Sequence, residues 1–233
     1  MSGCGNRKRI ETDENGEEER KGTFAPFISA GVIPVAELKT LVAQMEAEGA
    51  DNIKLTGEII FVWGDGKVPE DIEGRSGRKA NTFKAGGVRP VKMCSAETFC
   101  RRFKKPVLGL AMRIDELYRG VELPMKLAIG VAGCQRSCSE PATKDIGVIA
   151  NPRGYEILAG GAAGFKPGIA TRLAVVLTEE DVIKTVGRII GYFSKNAIKG
   201  HRLGAVIEKN GWEPFKAHAL EGVKVLEEDN PGE

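Results

Sequence analysis

Five cysteines occur in the chain, and four of them fall in two close pairs. Cys94 and Cys100 have five residues between them, and Cys134 and Cys138 have three. Each pair follows a short apolar stretch that reads as a strand ending in a turn, where backbone amides can be aimed at sulfur. Four thiolates from two loops suit a cubane iron–sulfur cluster, for which Cys₄ ligation is the rule. Structural zinc also takes four thiolates, but its knuckles leave only about two to four residues between ligands. A third reading is that the four are buried, unligated cysteines. Cys4 lies apart in a polar stretch and reads as a spare thiol. An odd cysteine count without an exported context points to ligation rather than to a disulfide framework.

The elements that must hold these loops follow from periodicity. Residues 1–22 are polar and charge-rich, with Glu17-Glu18-Glu19-Arg20-Lys21 near their end, and read as a disordered tail. Phe24 to Ile33 reads as a strand and loop. Pro34 suits the first turn of a helix over 34–48, in which Val35, Leu38, Leu41, Val42 and Met45 recur at helical spacing. Asn52 to Trp63 reads as one strand closed by Gly64-Asp65-Gly66, which completes a β-α-β unit. Residues 65–87 read as a loop with room for one short helix.

Val88 to Lys92 is then a strand into Cys94. Helices are predicted over Thr98 to Lys104 and Leu108 to Tyr118, the second burying Leu110, Ile114 and Leu117. Lys126 to Val131 is a strand into Gly133-Cys134. Two further strands, Asp145 to Ala150 and Gly154 to Ala159, meet at a turn at Asn151-Pro152. Thr178 and Asp181 open a capped helix through about Lys195, with Val182, Val186, Ile189, Ile190 and Phe193 on its buried face. One or two helices cover Leu203 to Leu220. The glycine run 160–164 lacks the strand–GxGxxG–helix order and the P-loop lysine, so it reads as a turn. His201 and His218 read as surface or packing residues.

The chain has 233 residues, 42% hydrophobic and 28% charged, with a net charge of +2. That length supports a core without disulfide staples, and that charge names no nucleic-acid or membrane partner. No apolar run is long enough to span a bilayer. No export-signal core stands at the N-terminus, so the expected location is cytoplasmic.

The cysteine pattern, with five residues inside one pair, three inside the next and about forty residues between pairs, resembles the cluster signature of the siroheme-containing nitrite and sulfite reductases. Val88-Arg89-Pro90-Val91-Lys92, Leu123-Pro124-Met125-Lys126, Lys144-Asp145-Ile146-Gly147 and the Gly160 to Gly164 run also resemble that family. The single-repeat build is similar to the small, assimilatory-type sulfite reductases.

The resemblance implies an α+β fold, with a ferredoxin-like β-α-β half domain at 23–87 followed by an α/β siroheme and 4Fe–4S domain at 88–233. It implies a 4Fe–4S cluster on Cys94, Cys100, Cys134 and Cys138, with siroheme against Cys138, whose thiolate joins the two. It implies an oxidoreductase that takes sulfite to sulfide or nitrite to ammonia, fed by a separate electron-donor protein. Siroheme carries eight carboxylates, so cationic partners are needed. Arg89, Lys92, Arg101, Arg102, Lys126 and Arg136 are the candidates. Arg136 and Lys126 are assigned both catalytic and siroheme-binding roles, and Arg89 and Thr56 siroheme-binding roles.

Two positions differ from the family pattern. Gln135-Arg136 stand where relatives have Pro-Asn, and Ile59 stands where relatives have a strand arginine. The alternative reading is an electron-transfer or tetrapyrrole-binding protein without reductase activity. A homodimer is expected, because a one-repeat chain lacks the second repeat of larger relatives.

Overall fold

A computed structural model of the chain describes residues 22–55, 58–81 and 86–226. Cys4, Thr56, Phe83 and the tail reading for residues 1–21 lie outside the described residues. The chain divides into two compact units. Of the described residues, one contains those within 22–27 and 33–81, and the other contains Ile28–Val32 and 86–226. The fold is α+β.

In the first unit, strand β1 (Gly22–Phe24), helix α1 (Val35–Ala47), strands β2 (Asn52–Leu55) and β3 (Ile59–Trp63) and the short helix α2 (Ile72–Ser76) follow one another. Gly22, placed in the tail by its composition, pairs with Trp63 and opens β1. The single strand predicted over 52–63 is instead a pair. β2 runs antiparallel to β3, and the sheet order is β1-β3-β2. Phe24, Leu41, Met45, Phe61, Trp63 and Ile72 form the core. The Trp63 indole N–H donates to the Glu48 carbonyl at 2.9 Å, so burial of its ring leaves no orphan donor.

The second unit opens with β4 (Gly87–Val88), β5 (Lys92–Met93), the one-turn helix α3 (Ala96–Phe99) and helix α4 (Leu108–Tyr118). β6 (Lys126–Leu127), β7 (Ile129–Ala132), β8 (Ile146–Asn151), β9 (Gly154–Ala159) and β10 (Thr171–Val176) follow. Helices α5 (Glu179–Asn196), α6 (Leu203–Asn210) and α7 (Trp212–Leu220) complete it. Five strands form one sheet in the order β10-β9-β8-β7-β5, parallel from β5 through β8 and antiparallel beyond.

Two predicted strands are broken, each for a local reason. Pro90, which has no amide to give a ladder, separates β4 from β5, and these join different sheets. At Ala128 the amide leaves the ladder and donates to the Asp145 carboxylate at 2.7 Å, which separates β6 from β7. The unit boundary falls before 87 because Gly87 and Val88 pair with Lys126 and Leu127.

Helix α5 starts at the predicted cap. The Thr178 hydroxyl accepts from the Asp181 amide at 3.1 Å, and all five predicted face residues are buried. Helix α4 buries Leu110 and Ile114, but Leu117 is exposed. The polar residue that α4 buries instead is Asp115. Its carboxylate accepts from the amides of Val91 (2.8 Å) and Ala30 (3.1 Å), which ties Ile28–Val32 to the second unit. Burial lifts its carboxyl above the ordinary range, and these amide bonds oppose the shift.

Candidate metal centre

The Cys94 amide donates to the Val131 carbonyl at 3.1 Å, extending the parallel pairing of β5 with β7. Two residues past Val131 the chain reaches Gly133, whose amide donates to Cys94 Sγ at 3.2 Å. The Gly133 carbonyl accepts from the Lys104 amide at 2.7 Å. Gly133 is thus bonded to both sides of the Cys94–Cys100 segment, and Cys134 follows it directly. A Cβ added at Gly133 would meet Ala96 Cβ at 3.0 Å and Phe103 Cβ at 3.2 Å. This close approach favours glycine at 133, since a larger residue would push on Ala96 and Phe103. Sequence reasoning did not single out Gly133; a glycine between a buried strand and a candidate ligand was the available signal.

Around the other cysteine of the first pair, the Arg102 amide donates to Cys100 Sγ at 3.4 Å. The intervening Glu97 turns inward, and its carboxylate accepts from the amides of Val107 (2.9 Å) and Leu108 (2.7 Å) at the start of α4. This anchors the loop to the helix and places a carboxylate at the positive end of the helix dipole. Cys134 starts a turn closed by Ser137 N–H donating to its carbonyl at 3.1 Å. The loop is tied back to the sheet by the Ser139 hydroxyl, which donates to the Val131 carbonyl at 2.7 Å.

None of the four cysteines is in a disulfide. Cys94, Cys100 and Cys134 are half-buried and Cys138 is exposed. The described non-glycine residues with left-handed φ are Ala30, Ala96, Ser137 and Glu140, and two of these, Ala96 and Ser137, lie in the two cysteine segments. Such conformations cost on the order of 1–3 kcal/mol each and cluster where a bound group over-determines the backbone. Among the described residues, no three of His, Cys, Asp or Glu gather around one point as a single ion needs. A cubane differs in that each thiolate binds its own iron, and amide-to-sulfur bonds of the kind made to Cys94 and Cys100 tune such clusters. The donor set and its amide bonds therefore fit a 4Fe–4S cluster.

The candidate cations separate into two places. Arg136 is exposed between Cys134 and Cys138, and Arg101 and Arg102 are exposed directly after Cys100. Lys126 lies at the opposite end of the β6–β7 stretch from Cys134. It lines a cavity of about 800 Å³ with Gly160–Gly168 and residues 200–208, and none of the four cysteines lines that cavity. The Arg89 amide donates to the Leu127 carbonyl at 2.8 Å beside β6. His201 also lines the cavity. Lys92 is exposed on β5. Ile59 packs against the first unit's core. No helix among the described residues is long and apolar enough to cross a membrane.

The chain is similar to a nitrite reductase [NAD(P)H] of Neurospora crassa, with 31% identity over 83% of this chain and 17% of that protein. It is also similar to an assimilatory-type sulfite reductase of Nitratidesulfovibrio vulgaris, with 28% identity over 57% of this chain and 61% of that protein. The chain spans less than a fifth of the Neurospora relative and under two thirds of the other. Among solved structures, the Mycobacterium tuberculosis NirA protein shares the fold with a TM-score of 0.73 and 18% identity, covering 91% of this chain and 42% of that one. A dissimilatory sulfite reductase I shares it with a TM-score of 0.72 and 13% identity, over 91% of this chain and 72% of that one. The family model for the nitrite and sulphite reductase 4Fe-4S domain matches residues 84–225, more than half of the chain, so the chain belongs to the nitrite and sulphite reductase family.

Proposed function

We propose that the chain is a siroheme- and 4Fe–4S-dependent reductase of sulfite or nitrite, fed by a separate electron-donor protein. The observation that carries this reading is the bonding at Gly133, which draws both cysteine segments together. Cys94, Cys100, Cys134 and Cys138 would hold the cluster, and Cys138, the exposed one, would face the siroheme. When bound, the cluster supplies single electrons and siroheme supplies the iron at which the oxyanion is reduced.

The remaining work belongs to side chains. A polycarboxylate in a protein cleft needs cationic partners, because an unpaired buried charge is very costly. Arg136 stands beside two ligands with a permanently charged fork that can hold carboxylate or oxyanion. A cation there stabilises negative charge on the anion's oxygens as they take up protons. Lys126, Arg89 and Thr56 complete the set that the family resemblance implies.

A second reading, electron transfer or tetrapyrrole binding without turnover, is favoured by one observation. Ile59 stands where the family resemblance implies a strand arginine, and it packs against an apolar core.

The absorption spectrum of anaerobically purified protein, followed by sulfite- and nitrite-dependent oxidation of reduced methyl viologen, tests both readings. Siroheme bands with turnover are expected. In Arg136→Asn, siroheme retention should fall. Siroheme bands without turnover would select the second reading, and absence of the bands after reconstitution would remove the reductase reading.

A further inference from the structure

We infer that Phe99, Arg101, Arg102 and Lys104 form a docking face for an acidic electron-donor protein. The inference rests on the reading that the four cysteines hold a cluster fed by such a donor, and it names where the donor binds.

Helix α3 ends at Phe99, and the chain then turns outward around Cys100. Phe99 is 80% exposed, unusual for a phenylalanine next to a candidate ligand. Arg101, Arg102 and Lys104 are exposed as well. The nearest acid along the chain, Glu97, is turned to the Val107 and Leu108 amides and forms no ion pair with them. Among the described residues, Arg101, Arg102 and Lys104 take part in no ion pair, whereas Arg75, Arg78, Arg113, Arg172, Arg188 and Arg202 each do.

An exposed aromatic bordered by unneutralised cations has the make-up of an interface: an apolar anchor with a charged rim. The rim's sign selects an acidic partner and speeds its encounter. The place also suits electron delivery. The Arg102 amide bonds Cys100 Sγ, so the backbone of this face abuts a candidate ligand sulfur. In the step itself one electron leaves the reduced donor, which is oxidised by one, and the cluster is reduced by one. No covalent bond forms and no proton moves. Arg136 is left out of this face because the siroheme reading uses it.

The probe is a plant-type [2Fe–2S] ferredoxin, a small acidic protein, and its binding to the purified protein is measured by calorimetry at two salt concentrations. Binding should weaken as salt rises. The R101Q/R102Q double variant should lose about fivefold to tenfold in affinity, as two rim charges would. Phe99→Ser should lose several-fold. Lys195→Gln and Lys209→Gln, exposed cations on α5 and α6, should bind like the wild type. Bleaching of the cluster by reduced ferredoxin should slow in R101Q/R102Q, while bleaching by dithionite should not.

Wild-type affinity in R101Q/R102Q with iron intact, salt-independent binding, or stronger binding of a single-stranded oligonucleotide than of ferredoxin would each overturn the docking face alone. A wild-type protein that holds no iron after anaerobic reconstitution would remove the cluster reading and the docking role with it.

Discussion

Strands β7 and β8 run parallel, and their two ends differ in kind. At the entering end, buried Asp145 accepts from the Ala128 amide and from Arg202, whose Nε lies at 3.0 Å, while Arg202 Nη2 bonds its other oxygen. The Gly160 amide donates to the Asp145 carbonyl at 2.8 Å. The charge of Asp145 is met there by the protein's own groups, beside the cavity that Lys126 and Arg202 line. At the leaving end stand four cysteines that form no disulfide, left-handed backbone at Ser137, and the exposed arginines 101, 102 and 136. A buried pair completes the first end. The second gathers cysteines in no disulfide and arginines in no ion pair among the described residues, which makes it the place to look for chemistry.

The largest expected effect breaks the leaving end. Replacing Cys94, Cys100, Cys134 or Cys138 with Ala should remove iron and cost several kcal/mol of stability together, with a lower thermal midpoint, because metal binding is coupled to folding. Cys4→Ala should change neither. Iron assay and thermal unfolding on the same samples check this, and wild-type iron content in all four variants would end the cluster reading.

At the entering end, Asp145→Ala should cost about 3 kcal/mol, the lower part of the range for leaving one member of a buried pair uncompensated, since the Arg202 side chain is 20% exposed. Iron per folded molecule should not change. Denaturant unfolding gives the first quantity and iron analysis of the native fraction the second. Parallel loss of iron would show that the two ends are coupled.

Gly133→Ala probes the junction of the cysteine segments. Its Cβ would press on Ala96 and Phe103, so a loss of about 1–3 kcal/mol is expected from overpacking, with weakened iron retention. Gly109→Ala, in α4 with nothing within 4 Å of the added carbon, should instead be neutral or stabilise by about 0.5–1 kcal/mol. If the two substitutions behave alike, Gly133 is not the junction.

The sequence made the two cysteine pairs legible because spacing between cysteines survives without knowledge of the fold. Helices α1, α4 and α5 were legible for a similar reason, since 3.6-residue periodicity is local. What was hidden depended on distant partners. The break between β6 and β7 comes from the Ala128 amide leaving the ladder for Asp145, and nothing near Ala128 announces it. The burial of Asp115 depends on Val91 and Ala30, which supply its donors from elsewhere in the chain. Strand β10 was passed over beside the glycine run, although Leu173, Val175 and Val176 are buried there. Lys126 was grouped with the cysteines by proximity along the chain, but a strand carries it to the opposite end.

The smallest expected effect separates the leaving end's own contacts from those that need iron. Tyr155, on β9, pairs with Ala150 at that end of β8, and its hydroxyl donates to Glu179 Oε1 at 3.3 Å. The Lys105 ammonium lies 5.7 Å from its ring centroid, a cation–π distance. Burial, reinforced by the Glu179 charge, pushes its phenol from the ordinary value near 10 up to about 12. Below pH 10 the phenol is neutral whether the chain is folded or not, and the hydrogen bond contributes in full. Between pH 10 and about 12 the unfolded chain gives up this proton first, so folding must recover it and stability falls as pH rises. Tyr155→Phe should therefore cost about 1 kcal/mol at neutral pH and show a flatter decline through that alkaline window. Denaturant midpoints against pH, with tyrosinate absorbance followed in parallel, check both. The difference between wild type and variant should persist in iron-free protein, because Tyr155, Glu179 and Lys105 need nothing from outside the chain. Parallel curves for the two proteins through the window would mean that Tyr155 ionises at the ordinary value.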